Sequence, residues 1–437
     1  MAYIQNRNGK LVVGNQEIRL KGFGIGSWLN LEHYMVGMPT PDSMIRDSFA
    51  KVYGKERAEE FWDTYIRCFL QREDFELIQK SGANLIRVPF NYRILMSDND
   101  DDWKESGFAY LTDLLDLCDE YRIYVLLDLH TAPGGQNPDW HSDNRTGVSQ
   151  FWEFQVFRRQ ITRLWGEIAR RYADREYLFG YDLLNEPAMC RWDALNEFYR
   201  ETIAEIRRNG DRHLIVLGGD HFAMDFRELE RFDDEQLCLG FHFYPICWYP
   251  RLSEPDCTRE EFNGLFRKVL EEILAQCRKY DLPCLCGEFG FERDTTEEAV
   301  VYTRMEDTIR LFEEHDLSWV LWTYKDMGDM GLTYLEENSK WAKLAERIKE
   351  SWSQDKEKAE AAELLALCRK LNYPAMNAEM EYKLSFRMRA VLFELQASYI
   401  LQEELSKISW EEIRAYPQDF ALENCRLDEK FLEVMRK

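Results

Sequence analysis

Leu178-Phe179-Gly180-Tyr181-Asp182-Leu183-Leu184-Asn185-Glu186-Pro187 is an apolar run of strand length that closes on Asn-Glu-Pro. A second run, Pro283-Cys284-Leu285-Cys286-Gly287-Glu288-Phe289, also ends on a glutamate. Working outward from these two, six more short apolar runs lie at Ile18–Ile25, Asn84–Phe90, Tyr124–His130, Leu214–Gly219, Leu237–Tyr244 and Trp319–Tyr324. The spacers carry apolar residues at three- and four-residue intervals, which predicts helices over Tyr65–Lys80, Phe108–Tyr121, Phe151–Tyr172, Ala194–Asn209, Arg259–Lys279 and Thr296–His315. Strands that are apolar on both faces and alternate with helices predict an α/β chain, a (β/α)8 TIM barrel.

The first spacer is long and would form an extended first βα loop on the barrel's top face. After about Ser351 the composition changes to helix-forming residues, with Pro374 and Pro417 as breaks. The expected organisation is a barrel over residues 1–350 and a C-terminal helical extension over 351–437. Its helices are expected at Lys356–Leu371, Glu379–Ser406, Trp410–Arg414 and Asp428–Arg436. A stripe of Met388, Val391, Leu392, Leu395 and Ile400 is the expected packing face, with a lid or an oligomer contact as other uses. The acidic run 98–102 lacks the spacing of a calcium loop and reads as solvated loop.

The 437 residues carry 56 basic and 80 acidic side chains, a formal net charge of −24. That excludes a nucleic-acid backbone as the expected partner, because such binding needs clustered Lys and Arg. No run of about 18 apolar residues occurs, so no membrane span is expected. The N-terminal residues show no secretory leader, and the expected location is cytoplasmic. Eleven scattered cysteines fit free thiols rather than a disulfide framework. Their spacing matches no metal site, so neither metal nor cofactor is expected.

In a barrel, reactive groups come from the C-terminal ends of different strands. Those ends hold Arg87, His130, Asn185-Glu186, His242-Phe243-Tyr244, Glu288 and Trp322, in chain order. Polar groups in such runs cost several kcal/mol, roughly, unless they have partners or a purpose. Two carboxylates about 5 Å apart can cleave a glycosidic bond with retention, one as acid/base and the other as nucleophile.

This ordered set resembles glycoside hydrolase family 5, the cellulase family A of the retaining (β/α)8 glycosidases. Its pattern is Arg on strand two, His after strand three, Asn-Glu on strand four, His-x-Tyr on strand six, Glu on strand seven and Trp on strand eight. The likeness spans about residues 15–345. The stretches Gly26-Ser27-Trp28-Leu29-Asn30-Leu31-Glu32 and Leu129-His130-Thr131-Ala132-Pro133-Gly134-Gly135-Gln136-Asn137 look most like the exo-β-glucanase and β-glucosidase-like branch. That branch has Gly-Gly-Trp-Leu where this chain has Gly-Ser-Trp-Leu, and the helical tail has no counterpart in the family pattern. The resemblance implies Glu288 as nucleophile, held ionised by Arg87 and Tyr244, and Glu186 as acid/base, kept protonated by the nearby Glu288 charge. Asn185 would bond the sugar 2-hydroxyl, His242 would orient Glu186, His130 would bind sugar hydroxyls, and Trp322 would floor the pocket.

Glu32, Gln136, Asn137 and Trp140, in loops, are expected to close one end of the cleft and bind substrate. Trp28 and Trp248 either stack on sugars or pack. The expected function is a retaining β-glycosidase, exo-acting on short β-glucosides. The alternatives are an endo-acting β-glucanase or β-mannanase, a non-catalytic carbohydrate-binding barrel, and a metal-dependent hydrolase, which Arg87 would oppose.

Overall fold

The computed structural model describes residues 3–97, 102–254, 256–293, 298–371 and 377–437. The acidic run expected as a solvated loop lies outside these apart from Asp102. Eight parallel strands close a barrel: β1 Lys21–Gly24, β2 Leu85–Asn91, β3 Tyr124–Thr131, β4 Leu178–Asp182, β5 Leu214–Gly218, β6 Leu237–His242, β7 Cys284–Phe289 and β8 Ser318–Leu321. All eight coincide with the apolar runs. The reason is burial on both faces: every residue of β2 is buried, from Leu85 to Asn91. Below, a hairpin of Ile4–Arg7 and Lys10–Val13 brings Ile4 and Leu11 against Leu85, Leu126, Phe179, Leu214 and Val320, plugging the N-terminal end.

Helices α1 Asp42–Tyr53, α2 Lys55–Phe69, α3 Arg72–Lys80, α4 Glu105–Tyr121, α5 Gln155–Tyr172, α6 Trp192–Arg208, α7 Arg259–Cys277, α8 Glu298–Glu314 and α9 Lys340–Ser351 are joined to the strands in sequence. The helix expected over 65–80 is split into α2 and α3. The break is a cap: Asp74 accepts a hydrogen bond from the Gln71 backbone N–H at 2.7 Å and starts α3 afresh. The long first loop, with α1 and α2, packs Trp62, Tyr65 and Phe69 into the main core beside Trp341 and Phe420.

Beyond α9 lie α10 Gln354–Lys370 and α11 Ala378–Leu395, an antiparallel pair, then short helices at Trp410–Ile413 and Glu429–Arg436. The packing face of α11 differs from the expected stripe. Phe386, Ala390 and Phe393 are buried, as is Ala397 in the π-helical turn Gln396–Leu401 that continues α11, whereas Val391 and Leu395 are 64% and 51% exposed. The helix is apolar on more than one side, and the small alanines admit the closest neighbour. A strand at Cys425–Leu427 also pairs antiparallel with Thr333–Leu335, where no strand was expected. Among the described residues, no helix is long and apolar enough to cross a membrane.

Candidate active site

The strand ends converge on one polar cluster around Arg87. Its guanidinium, wholly buried on β2, donates from Nη1 to Glu288 Oε1, from Nη2 to Asn185 Oδ1 at 2.7 Å and from Nε to Asp182 Oδ2 at 3.1 Å. Asp128 Oδ1 lies 3.1 Å from Nη2. Burial works against this charge, but Asp128, Glu288 and Asp182 outweigh it and hold the guanidinium more firmly protonated than usual. Asp182 itself is pushed up to about 6 by burial, against the pull of Arg87.

Glu288 is aimed by an irregularity in β7. The pairing with β6 shifts register between Cys286 and Glu288, so that Glu288 lies opposite His242. Gly287 fits beneath the His242 ring, where an added Cβ would meet Nε2 at 3.1 Å. Tyr244 Oη donates to Glu288 Oε2 at 3.2 Å. Across the cleft, Glu186 leaves β4 in the left-handed region, with φ +47°. Such a conformation is uncommon for a residue with a side chain and is over-determined by its surroundings. The Asn137 amide donates to the Glu186 carbonyl at 3.1 Å, and the Gln136 amide to the Asn185 carbonyl at 3.0 Å.

One imidazole joins the two acids. His242 Nδ1 is 2.7 Å from Glu186 Oε1 and 3.5 Å from Glu288 Oε2. A second imidazole, His141 Nε2, reaches Glu186 Oε2 at 2.9 Å. Burial raises the Glu186 pKa, but the hydrogen bonds from His141 and His242 outweigh it and hold the carboxyl well below the usual range. This corrects the expectation that Glu288 keeps Glu186 protonated: two imidazoles on the carboxylate count for more than one neighbouring anion. His141 moves the other way, burial lowering its pKa and the bond to Glu186 raising it to a net increase. The same contact thus favours the charged form of each partner.

His130 stands on the opposite wall. Its Nδ1 meets Asp128 Oδ2 at 2.7 Å and its Nε2 meets Glu32 Oε1 at 3.1 Å. Trp322 lies nearly parallel to its ring, at 7° with centroids 5.8 Å apart, and donates from Nε1 to Tyr34 Oη at 2.8 Å. Burial raises the Glu32 carboxyl, with His130 pulling against it.

Eight residues expected from strand ends, Arg87, His130, Asn185, Glu186, His242, Tyr244, Glu288 and Trp322, thus meet in one site, and Glu32 joins them. Gln136 and Asn137 sit beneath it. The Gln136 amide donates to the His130 and Asn185 carbonyls and accepts from the Ala132 N–H. Asn137 donates from Nδ2 to the Glu186 carbonyl and accepts at Oδ1 from the Asp139 N–H, and its Nδ2 lies 2.9 Å from His141 Nε2. Both amides are spent on bracing the loop. Trp140 packs against His33 at 3.8 Å between centroids rather than facing the acids. Trp28 is buried and donates to the Ile66 carbonyl, so it packs. Trp248 stands with His221 and Phe222 on the rim beside His141. Sequence reasoning missed His141, Asp128 and Asp182. The available signals were a histidine beside Trp140 in a loop already singled out, and aspartates inside apolar strands. Glu186, His242 and Glu288 offer ligand atoms within 4.8 Å of one another, among the described residues. The Arg87 cation already occupies Glu288 and would repel a metal there.

Residues 51–328 match the family model described as Cellulase (glycosyl hydrolase family 5). The chain belongs to glycosyl hydrolase family 5. A beta-xylosidase of Phanerodontia chrysosporium is 31% identical over 455 residues, covering 97% of this chain and 96% of that protein. Endoglucanase C of Acetivibrio thermocellus is 27% identical over 62% of this chain and 87% of its own. In three dimensions, the endoglucanase Cel5A from Thermotoga maritima superposes with a TM-score of 0.54 at 17% identity, over 72% of this chain and 91% of its own. An endogalactoceramidase superposes with a TM-score of 0.56 at 15% identity, over 75% of each chain. These two likenesses concern the barrel fold. This family 5 chain is a glycoside hydrolase, and its cleft of acids, imidazoles and an indole is suited to a carbohydrate.

Proposed function

We propose that this enzyme is a retaining β-glycosidase that works on short β-glycosides from one end, with Glu288 as nucleophile and Glu186 as acid/base. The observation that carries this reading is the shared imidazole: both carboxylates contact His242 Nδ1, at 2.7 and 3.5 Å. Oxygens of the two carboxyls lie within 4.8 Å of each other, which suits the separation of about 5–5.5 Å that retention uses rather than the wider gap of an inverting site.

In the first step, a Glu288 oxygen bonds to the anomeric carbon as the bond to the leaving oxygen breaks. Arg87 and Tyr244 hold the nucleophile in line. The imidazole bonded to Glu186 passes it a proton and the leaving oxygen takes that proton, so Glu186 ends the step as a carboxylate. Asn185, fixed through its carbonyl by Arg87, presents its N–H groups to the 2-hydroxyl, a contact that strengthens as positive charge builds on the sugar. In the second step, water gives a proton to Glu186 and its oxygen displaces Glu288. The sugar released keeps its original configuration.

Glu32 and His130 close the sugar end of the cleft over the Trp322 floor. On the other side of Glu186, α11 packs against the turn that carries His141, with Arg389 Nη1 3.3 Å from Asp139 Oδ1. A cleft confined at both ends supports short substrates. So does the full-length similarity to a named beta-xylosidase, which takes in nearly all of the C-terminal helical region.

The test is a panel of aryl β-glucosides, aryl β-xylosides and short β-linked oligosaccharides, with NMR detection of the first-formed anomer. One-unit release from the non-reducing end with the β-anomer first is expected. Glu288→Gln should lose at least about a thousandfold in kcat with its fold intact. Near-normal turnover by that variant, or an α-anomer first, overturns the reading.

A further inference from the structure

The helical pair α10–α11 meets the barrel at the turn that carries His141. Arg389, in the middle of α11, donates from Nε to Glu357 Oε1 of α10 at 2.6 Å. Its Nη1 lies 3.3 Å from Asp139 Oδ1. Arg389 and Glu357 are 13% and 0% exposed at their side chains, so neither charge is left to water. Asp139 is also the cap of the short turn Trp140–Ser142, accepting from the Trp140 N–H at 2.8 Å through the same oxygen. Trp140 packs with Met44 onto Ala390, Phe393 and Ala397. His141 comes next, its carbonyl held by Asn30 at 3.3 Å and its Nε2 on Glu186 at 2.9 Å. Two consecutive residues of this turn are thus gripped by the C-terminal helices, and the third touches a reactive carboxylate.

We propose that the C-terminal helical pair is a positioning element of the active site: Arg389 and the Ala390–Phe393–Ala397 face hold the 139–141 turn so that His141 stays on the acid/base Glu186. This rests on the reading of Glu186 given above. A barrel without the pair would keep both carboxylates but lose one of the two imidazoles that hold and resupply the acid. The small side chains at 390 and 397 bring α11 close to the Trp140 indole, and the Glu357–Arg389–Asp139 chain sets its register along the turn. Arg389 and Glu357 act at a distance, through Asp139 and Trp140, and are positioning residues.

The groups facing His141 are the Glu186, Asp139 and Glu32 carboxylates, the His130 and His33 rings, the Asn137 amide and the Phe222 ring. Its titration therefore reports its place. The experiment is 15N NMR of the full-length protein labelled at histidine, with the His141 signal assigned by its loss in His141→Gln. Glu186→Gln removes the acceptor and sets the midpoint expected for a lost contact. Arg389→Gln is expected to lower the His141 midpoint by about one pH unit, toward that of Glu186→Gln, while Arg389→Lys keeps most of the wild-type value. Ala390→Leu, which pushes α11 off Trp140 with every charge retained, should lower it as well and serves if Arg389→Gln fails to fold.

Kinetics give a second readout, with 2,4-dinitrophenyl and phenyl β-glycosides of glucose or xylose, whichever is turned over. Only the phenyl leaving group needs a proton. Arg389→Gln should lose about tenfold on phenyl glycosides and little on dinitrophenyl ones. An unchanged His141 midpoint in both Arg389→Gln and Ala390→Leu, or an equal loss on both leaving groups, overturns the inference. If Glu186→Gln itself shows no leaving-group dependence, the acid/base reading falls, and the NMR midpoints still decide whether α11 places His141.

Discussion

A β-carbon added to Gly24 would stand 2.5 Å from Cε3 of Trp322, and one on Gly26 would stand 2.7 Å from Cζ2. The indole, read above as the floor of the proposed sugar site, therefore lies directly on the backbone of β1 and its continuation. With Nε1 tied to Tyr34 Oη, the ring has one position. Gly24→Ala forces it upward into the space assigned to the sugar. The expected result is a fall of at least about tenfold in kcat/KM, with overpacking costing about 1–3 kcal/mol of stability. Steady-state kinetics and thermal unfolding measure the two effects. Unchanged kinetics at lowered stability would mean that the ring does not contact substrate.

Arg87 neutralises a site that otherwise concentrates Asp128, Asp182 and Glu288 in the barrel's interior. Arg87→Met keeps most of the volume and removes the charge. Removing one partner of a buried ion pair costs about 3–5 kcal/mol, because the remaining charge is stranded. The loss should be greatest above pH 6, where Asp182 is ionised in the native protein, and should shrink as the stranded carboxyls protonate at lower pH. Urea unfolding at pH 5 and pH 8 measures the difference. An equal loss at both would show that Arg87 stabilises by packing rather than by charge.

How much of this was readable in advance follows from where each interaction partner lies. The barrel strands were legible because burial on both faces leaves an uninterrupted apolar run, and the reactive groups because they interrupt those runs at one end. Asp128 and Asp182 sit inside the same runs, but their partner Arg87 comes from another strand. His141 was not legible as a site residue because its contact with Glu186 depends on how the β3 loop folds back. That fold is held by Gln136, Asn137 and α11, which carry no catalytic pattern. The Gln136 and Asn137 amides read as ligands because exposed loop amides often are, whereas here they satisfy buried carbonyls. The packing face of this helix depended on tertiary fit: Ala390 and Ala397, the weakest hydrophobes available, pack there beside Phe386 and Phe393.

His130 gives a pH dependence with a defined sign. Burial lowers its pKa, but Asp128 and Glu32 raise it to about 10, against an ordinary 6.5. A histidine whose folded pKa is raised adds stability that is complete below its unfolded pKa and is lost as pH rises through the folded value. His130→Gln should therefore destabilise most near pH 6, and the difference from wild type should fall steadily toward pH 10. Thermal unfolding of both proteins across that window measures it. A difference that grows with pH would mean that His130 is neutral in the folded protein.

Lys325 ties the C-terminal segment to the barrel in a way that can be separated into its parts. The ammonium is fully buried and spends its three N–H groups on the Phe69 carbonyl at 2.6 Å, Asp74 Oδ1 at 2.8 Å and the Phe420 carbonyl at 2.8 Å. Phe420 in turn packs among Tyr65, Phe69 and Trp341. Lys325→Met leaves the Asp74 charge buried with Tyr324 and the α3 cap as its remaining partners, and should cost about 3–5 kcal/mol. The segment after Trp410 should become the first site of limited proteolysis, since its anchor at Phe420 is lost. Adding Asp74→Asn removes the stranded charge, so the double variant should regain part of the stability lost by Lys325→Met alone, a coupling that a double-mutant cycle isolates. Losses that simply add would show that Lys325 holds the segment through the two carbonyls and not through the ion pair.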